Sequence, residues 1–96
     1  METNKEYCIK ARIKNTDNNE LYEGYLCEDL TTGYPFYMQK PDDNLIKFDS
    51  INAAKEFSKK YEKWLLKGNN SNEKVISLGI YKDSWIHISN LYFNLI

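Results

Sequence analysis

One stretch constrains this fold more than any other: FDSINAAKEFSKKYEKWLLKG, from Phe48 to Gly68. Ala54, Phe57, Tyr61, Trp64 and Leu65 recur there at spacings of three and four, so on a helix they share one stripe. Lys55, Glu56, Lys59, Lys60, Glu62 and Lys63 fill the rest of the circumference. Ser50 or Asp49 can accept from the first free backbone amides, and Gly68 can take the left-handed conformation that ends a helix. Lys63 and Lys67 suit the negative C-terminal end. The pattern predicts an amphipathic helix, marked at both ends, whose apolar face must be covered by a sheet.

The rest of the chain supplies that sheet. In YCIKARIK, Tyr7, Ile9, Ala11 and Ile13 alternate with Cys8, Lys10, Arg12 and Lys14, the pattern of a half-buried strand. NTDNNE is turn chemistry, and a two-residue turn at Asp17-Asn18 pairs Ile9 with Leu26, Ala11 with Gly24, Ile13 with Tyr22 and Arg12 with Glu23. The same register sets Cys8 opposite Cys27. TTG at 31–33 allows a reversal into YPFYM, where Tyr34, Phe36 and Met38 share one face, Tyr37 takes the other, and Pro35 marks an edge or a strand start. Lys40 to Asn44 is a second reversal, and Leu45 to Phe48 returns as a fourth strand into the helix. After the polar run at 69–73, VISLGIY and WIHIS read as a further hairpin. The terminal LYFNLI reads as a strand, a helical turn or an interface, with a homodimer through this tail as one outcome.

The predicted class is therefore α+β: a mostly antiparallel sheet of five or six strands with one helix on one face, in the order ββββ-α-ββ. At 96 residues, 42% hydrophobic, the chain can build one core and not two, so a single domain over 1–96 is expected, with 1–5 frayed. Fourteen aromatics, eight of them tyrosine, can furnish much of that core. No segment approaches the roughly 20 apolar residues of a membrane span, and METNKEYCIK lacks the apolar centre of a secretory signal. Two cysteines nineteen positions apart fit neither a disulfide scaffold nor a zinc pattern. These features point to a cytoplasmic protein with reduced thiols.

Motifs for chemistry are sparse. His87 has no local nucleophile and carboxylate with which to form a catalytic set, and with two distant cysteines it makes a poor zinc site. Glu28-Asp29 and Asp42-Asp43 sit at turns without the apolar flank that would separate their pKa values for acid–base work. Phosphate-loop, dinucleotide and nucleophile-elbow motifs are missing. The reading is a non-enzymatic protein without cofactor or metal.

Charge is distributed unevenly. Residues 15–49 carry eight acidic and two basic groups, whereas the chain as a whole has a net charge of −1. Glu20, Glu23, Glu28, Asp29, Asp42 and Asp43, with Tyr25, Tyr34 and Tyr37, are the candidate binding residues, since tyrosine gives large contact area at low entropic cost. Such a surface suits a partner with a basic patch. The same tyrosines could instead pack in the core or stack bases, and the lysines of the helix offer a nucleic-acid alternative, although a binder of that kind normally shows a coherent basic surface. A small-molecule binder with an aromatic pocket is a third reading.

IKFDSINAAKEFSKKY, following two hairpins, resembles the strand–FxS/T–helix element of small phage and mobile-element proteins of low-GC bacteria, on Phe48, Ser50, Ala53, Ala54 and Phe57. Its layout is also similar to the three-strand-plus-helix arrangement of integrase arm-binding and AP2-type domains. Twelve lysines against the single Arg12, and eleven asparagines, agree with AT-rich coding. The resemblance implies an accessory protein that binds and modulates a host or defence protein, one that handles nucleic acid being among the candidates.

Overall fold

Ser50 is extended, and its hydroxyl accepts from Ala53 N at 3.0 Å, starting a helix where the sequence offers a cap. The computed structural model describes residues 6–41, 43–83 and 85–91. Its elements are β1 (Tyr7–Asn15), β2 (Leu21–Glu28), β3 (Pro35–Met38), α1 (Ile51–Lys60), α2 (Glu62–Leu65), β4 (Glu73–Lys82) and β5 (Ile86–Leu91). The strands form one antiparallel sheet in the order β3-β2-β1-β4-β5, so β1 is central. The α+β class holds, with five strands rather than six among the described residues. The frayed segment expected at 1–5, Asp42 and most of the C-terminal tail lie outside those residues.

The β1–β2 ladder has the expected register, with Ala11 opposite Gly24, Arg12 opposite Glu23 and Ile13 opposite Tyr22. The turn is longer than the two residues expected, closing through Asn15 N to Glu20 O, with Asn19 at φ 60°. The register survives because the loop lengthens symmetrically. At the other end the ladder stops at Lys10 and Tyr25. Beyond it, Ile46 N donates to Leu26 O and Glu28 N to Asn44 O, while Tyr7 and Phe48 exchange both backbone bonds. The segment thus makes isolated antiparallel bridges to β2 at Cys27 and to β1 at Tyr7. No straight strand can run antiparallel to two strands that oppose each other, so this segment bends and wedges them apart. It replaces the fourth strand, and the pairing of Cys8 with Cys27 is corrected accordingly. Both thiols are buried, with no disulfide between them.

One face of the sheet carries the core: Ile9, Ala11, Ile13, Leu26, Tyr37, Val75, Leu78 and Ile80, covered by Phe48, Ala54 and Leu65. The predicted helix breaks at Tyr61, between α1 and α2, and its buried stripe is turned from the expected one. Ala54, Ser58 and Leu65 are buried, Phe57 and Tyr61 are half-buried, and Trp64 is 46% exposed. Ser58 occupies an inward position because its hydroxyl donates to Lys55 O at 2.8 Å, which satisfies its only polar group. Phe57 packs edge-on to Phe48, with ring centroids 5.2 Å apart, and so covers the wedge.

Candidate functional site

A surface groove of about 810 Å³ opens beside the edge strand β3, between the 29–34 turn, α2 and the loop into β4. Its first wall is set by Asp29, whose Oδ1 accepts from Thr31 N at 2.8 Å, and by Gly33 at φ 76°, which turns the chain so that Tyr34 O accepts from Asp29 N. That places Tyr34 over Trp64, with centroids 4.8 Å and planes 28° apart, an aromatic stack left about half exposed. Lys67 lies over the Trp64 ring at 5.4 Å.

The loop at 68–73 forms the second wall and is held by one carboxylate. Glu73 Oε1 accepts from Asn69 N and Asn70 N, and Oε2 accepts from the Tyr22 hydroxyl at 2.5 Å. Burial first, and then Glu73, push the Tyr22 phenol up from its ordinary pKa. Thus fixed, Asn69 meets the outer edge of β3, where Oδ1 accepts from Tyr37 N at 2.8 Å and Nδ2 donates to Tyr37 O at 2.6 Å. A side-chain amide here stands in for the peptide of a sixth strand. With Pro35 lacking an N–H, the edge is closed to a further strand.

The candidate binding residues do not form one surface. Tyr37 is buried on the core face, where its hydroxyl donates to Leu65 O at 2.6 Å and burial pushes its pKa up, so its role as an exposed contact is corrected. Glu20 is in the β1–β2 turn, and its amide donates to Asn18 Oδ1. Glu23 and Tyr25 lie on the sheet face away from the helices. Glu28, Asp29 and Tyr34 come together at the end of β2, with Asn44 bridging Glu28 O to the loop that carries exposed Asp43. Asp42 is outside the described residues.

The face away from the helices holds a row that sequence reasoning missed. Lys10 Nζ sits 2.9 Å from Glu23 and about midway between the rings of Tyr25 and Tyr81, at 5.1 and 5.0 Å. The hydrogen bond to Glu23 raises the Lys10 pKa against the opposing effect of burial. Tyr81 meets His87 edge-on at 5.2 Å, and both rings lean over Gly79, where an added Cβ would lie 3.1 Å from Tyr81. His87 Nε2 is 2.8 Å from Asn90 Oδ1. The Lys10–Tyr25 half of this row follows from the hairpin register. The Tyr81 half depends on β1 pairing with β4, which no local signal announces. Among the described residues, no three His, Cys, Asp or Glu side chains are grouped to hold a metal ion, and no helix is long and apolar enough to cross a membrane. The chain matches no family model, no curated protein and no solved structure.

Proposed function

We propose that this chain is a non-enzymatic protein-binding module that docks a partner in the groove beside β3. The observation that carries this reading is the half-exposed Tyr34–Trp64 stack. Two large rings held in a fixed geometry offer contact area with little entropy left to lose, the property of interface hot spots. Glu28 and Asp29 on the adjoining turn favour a partner segment with an apolar side chain flanked by basic residues. Lysine- and asparagine-rich composition and the phage-like helix element support a host or defence protein as that partner, with the chain acting as its inhibitor or modulator.

Affinity capture from extract of the bacterial host, comparing the natural chain with a Tyr34→Ala/Trp64→Ala variant, tests the reading. Loss of either ring should remove about 2 kcal/mol or more of binding, against about 0.5–1.5 kcal/mol of fold stability for the stack itself. A partner retained equally by the folded double variant would exclude the groove.

A further inference from the structure

On the face away from the helices, three cations have no ion-pair partner among the described residues. Arg12 is opposite Glu23 in the ladder, yet the Glu23 carboxylate is taken by Lys10 at 2.9 Å. Lys14 and Lys74 are directly opposite each other across β1 and β4, on the same side as Arg12 and Lys10. Like charges in that position repel and destabilise a sheet. The ion pairs among the described residues are Lys10–Glu23 and Lys82–Glu6, so neither member of the Lys14–Lys74 pair has an ion-pair partner among them. Rungs on one face are about 7 Å apart, at roughly 3.3–3.4 Å per residue. Tyr25, Tyr81 and His87 therefore begin one or two rungs from the cations, on one continuous surface.

We propose that this face binds single-stranded nucleic acid, with phosphates held by Arg12, Lys14 and Lys74 and bases against Tyr25, Tyr81 and His87. An extended strand matches an open sheet face with cations at one end and rings at the other, because sequence-tolerant binding needs a cationic track beside flat aromatic platforms. The negative balance of residues 15–49 in the sequence does not oppose this. Of its acidic groups among the described residues, the ladder brings Glu23 to this face, and Lys10 neutralises it. The groove beside β3 plays no part here, so the two sites can be tested separately.

The test is fluorescence anisotropy with the full chain and a labelled single-stranded oligonucleotide, next to a duplex of equal length and to polyglutamate as competitor. The natural chain should prefer the single strand, with log K falling against log salt at a slope near −2, since each neutralised phosphate contributes about −0.7. Arg12→Gln/Lys14→Gln/Lys74→Gln should weaken binding by about tenfold or more, while its melting temperature stays level or rises as the lysine repulsion disappears. Tyr34→Ala/Trp64→Ala should bind the oligonucleotide normally. Four results would each overturn the proposal: equal or tighter binding of duplex, displacement by polyglutamate at matched charge, unchanged affinity in the triple variant, or no binding at low salt. The second of these would point to an acidic protein partner instead.

Discussion

Tyr37 shows how one hydroxyl can decide where a ring belongs. Its alternation with Phe36 and Met38 already places it on the face opposite theirs, but only the packing of α2 shows that face to be the core. Because Leu65 O is buried with it, Tyr37→Phe should leave a carbonyl unsatisfied and cost about 1–3 kcal/mol in urea unfolding, with little change in fold. Tyr22, Tyr37 and Lys10 also share a pH signature. Each has its pKa raised in the folded chain, so each contributes stability that is complete below its unfolded value, near 10 for tyrosine and 10.4 for lysine, and is lost as pH rises through the folded value. Thermal melts should be flat in this respect at neutral pH and fall above about pH 10. A Tyr22→Phe variant should lose less on the same alkaline step. A melt that stays level there would mean these groups titrate as they do in the unfolded chain.

Among the elements, the helix was the most legible and still departed from its pattern. Periodicity and the Ser50 cap located it, since both are local properties of the chain. Its rotation was not legible, because Ser58 counts as polar in any hydropathy pattern until its hydroxyl finds Lys55 O, and Trp64 counts as core until Tyr34 gives it a stacking partner at the surface. Gly68 illustrates the same limit at the helix end. It sits beyond α2 at φ 75°, and a Cβ there would lie 2.8 Å from Glu73 Cβ. Gly68→Ala should therefore cost at least the roughly 1–2 kcal/mol of a left-handed non-glycine residue, read in thermal melts, and should loosen Asn69 from β3. Asn69→Ala tests the closed edge by itself. It should bare Tyr37 N and O to solvent and promote self-association with rising concentration in sedimentation velocity. A strictly monomeric Asn69→Ala protein would show that Pro35 alone closes the edge.

At the scale of the whole molecule, the strands and the α+β class were legible because alternation and turn residues are local, while the order of the strands was not. The wedge at 44–48 and the pairing of β1 with β4 both depend on contacts made at long sequence separation. The candidate site was divided for the same reason, since Glu20, Glu23 and Glu28, near one another in sequence, end in the β1–β2 turn, on the face away from the helices and at the end of β2. β1 is central, yet only one of its two neighbours is nearby in the chain, and Ile9 must wait for Ile80. During synthesis the first hairpin would leave the ribosome with one long edge of β1 open, and the strand that closes it, β4, follows only after β2, β3 and both helices. Entropy of closing so large a loop is spent before any long-range pairing rewards it, which sets the folding rate by topology rather than by final stability. The interval before closure, more than any exposed patch on the finished fold, is when this chain is most open to aggregation or to capture by another strand.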